Sequence, residues 1–591
     1  MNIFDLVRQS EQRDPDRLAI LAPGMTPLTV RELKTQVLET AGTLAGLGIR
    51  RGDRVSLVMP NGPEMASAFL AVTAVAACAP LNPAYSLEEF KFYLTDLNAK
   101  AVIIKDGLST QAIPAAQALG LPILWLSADE QGKAGVFSLQ HDGTLKDEPI
   151  DFARADETAL VLHTSGTTGR PKIVPIAHSN ITISAQNIAK SLALTAQDRC
   201  LNVMPLFHVH GLIGAVLSSL AAGSSVICTR GFDSTQFFGW LSELSPTWYT
   251  AVPTLHQAVL AQGKKCAPNT LRHSLRFIRS SSSPLSPETA KNIEELFSVP
   301  ILEAYGMTEA AHQMAVNPLP PGQRKAGSVG KAAGCRIQIM GETGRFLEHG
   351  QNGEIVIQGE NVISGYENNA KANQDSFRDG WFRTGDQGCL DADGYLFING
   401  RTKEMINRGG EKIFPREIDE LLLRHPKVQQ AAAFAMPHPT LGEDLAAAVV
   451  LEGEEKISEK ELRQYVAGQA AYFKVPARIL FVERIPLGPT GKIQRVGLAE
   501  KLGLGIAIPP QDSLLQPNTP LEQMIQAAWA EVFDRQQIGR NDDFFALGGN
   551  SIQAMQIIAR IRDYSKVNLL FTEFFTAPTI AELAELVESK L

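Results

Sequence analysis

Short apolar runs alternate with segments of helical hydrophobic spacing through the first half of the chain. Runs rich in valine, isoleucine and leucine lie at residues 55–59, 101–104, 159–162, 225–228 and 248–252. Strands that alternate with helices predict a layered α/β architecture with mostly parallel sheets. The most apolar stretch, residues 65–80, is shorter than the roughly 20 residues that span a bilayer, and it predicts a buried helix.

Later changes in this pattern predict boundaries between structural units. Near residues 336–359, glycine-punctuated alternation predicts a smaller antiparallel sheet. A polar segment at residue 400 precedes a new α/β pattern, and a proline-rich stretch after it predicts an extended linker. Helical spacing then begins at Leu521 and predicts a small helical bundle. We therefore expect units at residues 1–399, 400–503 and 520–591, with the linker at 504–519.

Composition and charge narrow the classes of function. Of 591 residues, 44% are hydrophobic and 20% charged, and the net charge of -8 provides no positive surface for nucleic acid or anionic lipid. The six cysteines form no CxxC pair, and the first residues lack a secretory signal, so we expect reduced thiols and a cytoplasmic location. The last three residues match a peroxisomal address, but the spacing of residues 580–591 predicts Leu591 as a core residue.

The residues directly after the apolar run 159–162 are suited to hold phosphate. In Thr164-Ser-Gly-Thr-Thr-Gly-Arg-Pro-Lys172, two glycines allow close backbone approach, while four hydroxyls and a lysine supply donors. The spacing is not that of a Walker A loop. The alternative, a polar surface turn, leaves this concentration of donors unexplained. The predicted contacts are Thr164, Ser165, Gly166, Thr167, Thr168, Gly169 and Lys172.

This loop resembles the signature of the adenylate-forming superfamily of acyl-CoA synthetases, nonribosomal peptide synthetase adenylation domains and luciferases. Further segments that resemble motifs of that superfamily follow in order, at residues 304–309, 381–386, 400–403 and 489–492. The resemblance implies an α/β fold with a large multi-subdomain N-terminal part and a smaller, mobile α+β C-terminal subdomain. It also implies ATP as a reactant and Mg²⁺ as a cofactor.

The same resemblance assigns roles to individual residues. The implied nucleotide contacts are Ser282, Ala304, Tyr305 (which stacks on adenine), Gly306, Asp386 (which accepts the ribose hydroxyls) and Arg401. The implied catalytic residues are Thr308 at the α-phosphate, Glu309 as the Mg²⁺ ligand, and Lys492, with Lys403 as the hinge between subdomains.

The chemistry explains why cations are needed beside the α-phosphate. A substrate carboxylate must attack a phosphorus atom whose oxygens already carry negative charge, so Mg²⁺ and a lysine neutralise the charge that develops. Loss of one such oriented group, here Lys492, typically costs about 10²–10³ in rate. Ile173 stands where the superfamily usually has glycine, and we expect a stiffer loop without loss of activity.

A second motif lies near the end of the chain. Asp542-Asp-Phe-Phe-Ala-Leu-Gly-Gly-Asn-Ser551, followed by helical spacing at 552–560, resembles the attachment site of peptidyl and acyl carrier domains. The resemblance implies a small four-helix bundle, 4′-phosphopantetheine on Ser551 and a phosphopantetheinyl transferase as partner. A helix N-terminus at Ser551 would favour the phosphodiester. An ordinary serine cap after a glycine turn is the alternative for the Gly-Gly-x-Ser part alone.

The identity of the acid is less constrained by the sequence. Adenylation domains for α-amino acids usually have Phe-Asp-x-Ser where this chain has Phe207-His-Val-His210, so the carboxylate that pairs with the substrate ammonium is missing. His208 is the candidate acid-pocket residue, with a core histidine or a metal site shared with His210 as alternatives. Residues 303–314 and 320–325 are similar to the oxalyl-CoA synthetase branch.

No cation is evident near Ser280–Ser283, and the small Gly306 leaves room for a flat acid, so an aryl or phenylpropanoid acid is preferred over oxalate. The arrangement also resembles the adenylation–carrier loading module of hybrid peptide–polyketide synthetases such as microcystin synthetase. We therefore expect a starter-loading ligase with a downstream condensing or ketosynthase domain as partner, within a longer chain.

Two alternatives to this hypothesis stay open. One is a free acid–CoA ligase of the oxalyl-CoA synthetase type with an accessory carrier domain. The other is a degenerate module that binds nucleotide without turnover. The presence of Lys172, Glu309, Asp386 and Lys492 argues against the degenerate module.

Overall fold

The computed structural model describes most of the 591 residues as two units, Met1–Ile398 and Asn399–Leu591. The residues outside the description are 165–170, 265–271, 439–440, 454, 488–492, 505–514, 534, 536, 543, 545–546, 548–550, 570–572, 575–576 and 578, together with the side chains of 472, 551 and 552. Each unit is treated by itself below.

The first unit contains a sheet that carries most of the candidate acid pocket. In the described part of the chain its nine strands are, in spatial order, Lys331–Ala332, His312–Val316, Ile301–Met307, Phe277–Ser281, Trp248–Ala251, Arg199–Asn202, Ser225–Cys228, Leu18–Leu21 and Leu28–Thr29. The central strands are parallel, and antiparallel strands close both edges. The predicted α/β class is confirmed.

A second sheet of the first unit carries the candidate phosphate loop. Its seven strands, counted within the described residues, are Ser138–Gln140, Ile123–Ser127, Ala101–Lys105, Arg54–Val58, Ala77–Pro80, Thr158–Thr164 and Lys172–Ala177. The prediction of one buried helix over residues 65–80 is wrong at its end, because the helix Pro63–Thr73 is followed by the strand Ala77–Pro80. Small side chains let this strand pack between two neighbours, Arg54–Val58 and Thr158–Thr164.

A third, antiparallel sheet follows the glycine-punctuated alternation that predicted it. It contains Arg336–Met340, Gly353–Gln358, Trp381–Leu390 and Phe377–Arg378. The strand Leu396–Arg401 continues the chain across the boundary between the units. The ten-residue strand Trp381–Leu390 carries Asp386 into the first unit's candidate site.

Helices cover the sheets of the first unit. Thr29 and Glu32 form a capping box at the start of Val30–Gly46, and Leu33, Val37, Ala41 and Leu44 bury one face of that helix. The segment His210–Leu217 is a π-helix, a form that is rare and often found at functional sites. The helices are Ile3–Arg13, Val30–Gly46, Pro63–Thr73, Leu87–Asp96, Ala112–Ala118, His178–Ser191, His210–Leu217, Ser218–Ala221, Phe237–Leu244, Pro253–Gly263, Pro287–Phe297, Thr308–Ala310 and Ala370–Ser376.

The second unit begins with a smaller α+β arrangement. Its strands are Glu411–Ile413, Ile406–Arg408, Gly442–Leu451, Val428–His438 and Arg478–Phe481, and its helical segments are Pro415–Leu423, Glu459–Ala467, Tyr472–Lys474 and Leu498–Lys501. Arg408 is held by a salt bridge from Nε to Asp444 Oδ1 of 2.7 Å. Its guanidinium also donates to two backbone carbonyls, which fixes the start of this unit.

The end of the second unit is helical, as the spacing after Leu521 predicts. Its described helices are Pro520–Phe533, Ser551–Ser565 and Ile580–Glu588, and buried Trp529 and Phe544 lie in their common core. The prediction that Leu591 belongs to this core is wrong, because its side chain is 78% exposed. The last helix ends at Glu588, so its periodicity does not extend to the last residue. No helix among the described residues is long and apolar enough to cross a bilayer.

Candidate active site

The candidate phosphate loop is closed by a β-hairpin. Thr164 ends one strand, Lys172 begins the next, and these two residues are paired in the antiparallel register. The structure therefore brings the two ends of the predicted loop together. Ser165, Gly166, Thr167, Thr168 and Gly169 lie outside the described residues, and their predicted contacts stay predictions.

His163 fixes the strand that enters this loop. Its Nε2 lies 3.0 Å from Oδ2 of Asp96, and both side chains are nearly buried. Burial lowers the pKa of His163, and the neighbouring carboxylate opposes that shift. Across the hairpin, His163 is paired with Ile173, whose side chain is 6% exposed and packs in the core. An isoleucine at this position is thus accommodated as a core residue.

Thr308 and Glu309 occupy a single 3₁₀ turn after the strand Ile301–Met307. Thr308 is half-buried and Glu309 is 7% exposed. A buried carboxylate beside a hydroxyl supplies the hard oxygen ligands that Mg²⁺ takes in proteins, so the residues present fit the predicted metal. Oε1 of Glu309 accepts a hydrogen bond of 2.8 Å from the hydroxyl of Tyr366, which orients the carboxylate.

Two distant motifs meet at the predicted nucleoside site. The hydroxyl of Tyr305 donates a hydrogen bond to Oδ2 of Asp386, and both side chains are buried. Gly306 was expected to leave room for the acid, but the structure provides a different reason for glycine. A Cβ at Gly306 would lie 2.0 Å from the carbonyl oxygen of His312 on the neighbouring strand. Glycine is needed there because two backbones approach closely. The neighbouring Ala304 is buried in the same strand.

The histidines of the 204–211 segment do not lie on a strand, so the alternative of a metal site shared by His208 and His210 has no common strand face to support it. His208 lies in a turn, and His210 begins the π-helix His210–Leu217. His208 is half-buried beside the ring of Phe207, at 4.7 Å between centroids. Its proposed role at the acid stays a prediction. The described residues include no cluster of three or more candidate metal ligands.

A buried cation lies beside the serines at 280–283, so the premise that none is present there is wrong. Arg279, on the strand Phe277–Ser281, is 0% exposed. Its Nη2 donates to Nε2 of His312 at 3.0 Å and to Oε1 of Gln313 at 2.9 Å. Its Nη1 donates to Oγ1 of Thr250 at 3.2 Å. Among the described residues, no carboxylate forms a salt bridge with this guanidinium.

A series of side-chain contacts connects Arg279 with Ser282. Burial lowers its pKa to about 10, so the guanidinium keeps its charge at neutral pH. Thr250 Oγ1 accepts from Arg279 and lies 2.6 Å from Nε2 of His210, so we assign the threonine hydrogen to this contact. His210 then carries its own hydrogen on Nδ1, which lies 3.0 Å from Oγ of Ser282. Ser282 is half-buried at the end of this chain of donors.

Gly214 makes room for the second histidine of this cluster. The rings of His210 and His312 stack with centroids 5.0 Å apart. A Cβ at Gly214 would lie 2.6 Å from Nε2 of His312, the atom that accepts from Arg279. We name Arg279, Thr250, His210, His312 and Ser282 the anion cluster.

The remaining predicted residues lie in the core of the first unit, in the second unit, or outside the described residues. Tyr249, beside Thr250 on the same strand, is 0% exposed, and its hydroxyl contacts Nδ1 of His256 in the core. Lys492 lies outside the described residues. Arg401 is exposed in the second unit, and Ser551 begins the helix Ser551–Ser565.

Sequence reasoning missed Arg279 and His312 as site residues. The signal for Arg279 was its position inside the strand Phe277–Ser281, since an arginine is rarely buried without a partner. His312 was present in the motif 303–314 without an assigned role.

Comparisons with known proteins agree with this geometry. The AMP-binding enzyme family matches residues 7–367, the AMP-binding enzyme C-terminal domain matches 417–492, and the phosphopantetheine attachment site matches 523–587. The chain is 41% identical to an oxalate–CoA ligase of Saccharomyces cerevisiae over 82% of this chain and 94% of that protein. It is 35% identical to a sulfoacetate–CoA ligase of Cupriavidus necator over 82% of this chain and 94% of that protein.

Solved structures share the fold of most of this chain. The crystal structure of ATP-bound MatB from Rhodopseudomonas palustris aligns with a TM-score of 0.75 and 30% identity, over 85% of this chain and 99% of that chain. The family uses ATP and Mg²⁺, and the attachment-site match implies phosphopantetheine on a serine and a phosphopantetheinyl transferase as partner. The chain therefore belongs to the AMP-binding enzyme family and is an acyl-adenylating acid ligase with a C-terminal phosphopantetheine carrier domain.

Proposed function

We propose that this ligase activates a short carboxylic acid that carries a second anionic group, of the class of oxalate. The acyl group then passes to the phosphopantetheine thiol of the chain's own carrier domain, attached at Ser551. The observation that supports the choice of acid is the buried, charged Arg279 with no salt-bridge partner among the described residues.

The energetics of burial explain why this cation points to an anionic substrate. A charged group out of water is costly unless a counter-charge or several hydrogen bonds compensate it. Arg279 has neutral acceptors in His312, Gln313 and Thr250 but no counter-charge in the described chain. A substrate carboxylate or sulfonate in contact with the anion cluster would supply that charge. Oxalate and sulfoacetate, which name two relatives of the chain, each have two anionic groups.

This proposal replaces the preference for an aryl acid. That preference depended on the absence of a cation near Ser280–Ser283, and Arg279 removes its basis. The proposal keeps the loading step of the carrier hypothesis. We also keep a starter role, with a downstream condensing or ketosynthase domain as partner. Both depend on where the acyl group is transferred after it has been loaded.

The chemistry requires two transfers. In the first, a carboxylate oxygen of the acid forms a bond to the α-phosphorus of ATP, and the bond to pyrophosphate breaks. Thr308 and Lys172 would orient the phosphates, and Glu309 would hold Mg²⁺, which offsets the negative charge on them. Lys492 would contact the attacking carboxylate and the α-phosphate. In the second transfer, a thiol sulfur forms the thioester bond, loses its proton, and AMP leaves.

A panel of acids in ATP–pyrophosphate exchange tests the substrate class. We expect exchange with oxalate or sulfoacetate to exceed exchange with acetate and with cinnamate, because only the first two place an anion on the anion cluster. Asp386→Ala is the control for exchange that depends on the nucleotide site. Exchange that proceeds with cinnamate and not with either dianionic acid would contradict the proposal and restore the aryl interpretation.

The acceptor thiol is tested separately with radiolabelled acid and ATP. The full chain is first converted to its phosphopantetheine form, and free CoA is then removed. We expect label on the wild-type protein and on the matched control Ser565→Ala, at the other end of the same helix, but not on Ser551→Ala. Label that appears only on added CoA would favour the second candidate, a free acid–CoA ligase, which the names of the relatives support.

A further inference from the structure

Tyr366 lies between two charged groups of the active site. Nζ of Lys172 is 4.2 Å from the centroid of its ring, and its hydroxyl donates a hydrogen bond of 2.8 Å to Oε1 of Glu309. The residue is 7% exposed, so solvent competes little for either contact. The motif segments named in the sequence analysis, at 164–172, 304–309, 381–386, 400–403 and 489–492, do not include Tyr366.

The backbone of Tyr366 is held from both sides by one amide side chain. Its N–H donates to Oδ1 of Asn373 at 2.6 Å, and Nδ2 of Asn373 donates back to its carbonyl at 2.8 Å. This paired contact resembles a short rung of β-sheet made by a side chain. The ring therefore projects from a fixed position, and its place between Lys172 and Glu309 is set by the fold.

The residues on either side of Tyr366 bind the same two elements that it touches. The N–H of Glu367 donates to the carbonyl of Ile173, the residue after Lys172, at 3.1 Å. The N–H of Ile363 donates to the carbonyl of Glu309 at 2.9 Å. The segment 363–367 thus spans the strand that begins with Lys172 and the turn that contains Glu309. Its length sets the separation of these two elements.

This arrangement has an electrostatic consequence. A half-buried lysine and a buried carboxylate on either side of one ring attract each other, because their surroundings screen charge less than water does. A direct ion pair would cancel the cation meant for phosphate and occupy the carboxylate meant for Mg²⁺. Among the described residues neither Lys172 nor Glu309 forms a salt bridge. Lys172 faces the ring of Tyr366, and Glu309 faces its hydroxyl.

We propose that Tyr366 is a positioning residue that keeps Lys172 and Glu309 apart and aimed at the phosphates and Mg²⁺ of bound ATP. The ring holds the ammonium by a cation–π contact that leaves its hydrogens available to phosphate. The hydroxyl binds one oxygen of the Glu309 carboxylate, and this contact fixes the direction of the other oxygen. The inference rests on the acyl-adenylating activity and not on the identity of the acid.

The test uses Tyr366→Phe and Tyr366→Leu in the full chain, with ATP binding measured by calorimetry in the presence and absence of Mg²⁺. In Tyr366→Phe the ring stays and the hydroxyl is lost. We expect the affinity for ATP without Mg²⁺ to be unchanged. The Mg²⁺ concentration that gives half of the maximal enhancement of ATP binding should rise about tenfold, which is the usual effect of losing a hydrogen bond to a charged group. In Tyr366→Leu, ATP affinity should also fall without Mg²⁺, because Lys172 can then pair with Glu309.

Tyr395→Phe is the matched control. Tyr395 is 4% exposed, its hydroxyl donates to the carbonyl of Gln323, and Lys325 lies 4.5 Å from its ring centroid. Like Tyr366, it is a buried tyrosine with a lysine over its ring, but its hydroxyl donates to a neutral carbonyl. Loss of that hydroxyl should therefore affect the melting temperature and not the Mg²⁺ dependence. An unchanged Mg²⁺ dependence in Tyr366→Phe would overturn the proposal. An equal change in Tyr395→Phe would do the same, since it would indicate a general loss of stability.

Discussion

Replacing Arg279 with methionine should weaken the preference of this ligase for acids with a second anionic group. Methionine fills a similar length of the buried cavity without a charge, so the neighbouring strands can keep their packing. His312, Gln313 and Thr250 lose their common donor, and the anion cluster loses its guanidinium. We expect kcat/KM for oxalate or sulfoacetate to fall while kcat/KM for a monoacid such as acetate stays within a few-fold of its original value.

The geometry sets the size of this effect. The guanidinium contacts Nε2 of His312 at 3.0 Å, and a substrate anion bound to the far side of the imidazole would lie about 8 Å from the charge. Two unit charges at about 8 Å in a medium of effective dielectric constant about 20 interact by about 2 kcal/mol. That energy corresponds to about a 30-fold change in kcat/KM. Arg279→Lys keeps the charge but not the geometry that binds three acceptors, so its kcat/KM for the dianionic acid should fall by less than that of Arg279→Met.

The assay is ATP–pyrophosphate exchange with each acid, together with a thermal melt to check folding. The quantity to compare is the ratio of kcat/KM for the dianionic acid to that for acetate. Arg276→Met is the control, because Arg276 pairs with the buried Asp198 and its loss should reduce stability without changing the ratio. If Arg279→Met lowers the values for both acids equally, the cation does not recognise a second anionic group, and the reasoning is refuted.

The remaining predictions concern Gly214 and His178. Gly214→Ala should lower kcat/KM for the dianionic acid about tenfold with little change for acetate in the same exchange assay, because the new Cβ displaces the ring of His312 from Arg279. An unchanged acid ratio would count against the anion cluster. Burial lowers the pKa of His178 from 6.5 to about 4 in the folded protein. Between these two pH values the imidazole is protonated in the unfolded chain but not in the folded one, so the free energy of unfolding falls as pH drops from about 6.5 toward 4. By pH 5 the loss should be about 2 kcal/mol, and His178→Gln should remove about that much of the pH dependence of the free energy of unfolding, measured by denaturant titration; equal pH dependence in both proteins would contradict it.

The sequence alone determined the parts of this protein that depend on local spacing. The apolar runs at 101–104, 225–228 and 353–358 are strands, because alternation and β-branched content are properties of a few neighbouring residues. The ordered motifs also identified an acyl-adenylating ligase with a carrier domain. Errors occurred where local periodicity competes with packing. Residues 77–80 form a strand within an apolar stretch, and Leu591 continues a helical pattern after the helix has ended.

Only the tertiary structure decided which side chains meet in the candidate acid pocket. Arg279, His210 and His312 come from a parallel strand, a π-helix and an antiparallel strand that are separated in the chain. Their contacts depend on the register of neighbouring strands and on close approaches at Gly214 and Gly306, which no local pattern encodes. The placement of Tyr366 between Lys172 and Glu309 is of the same kind. Local spacing decides which face of an element is buried, whereas the meeting of charged groups requires the long-range packing that folding creates.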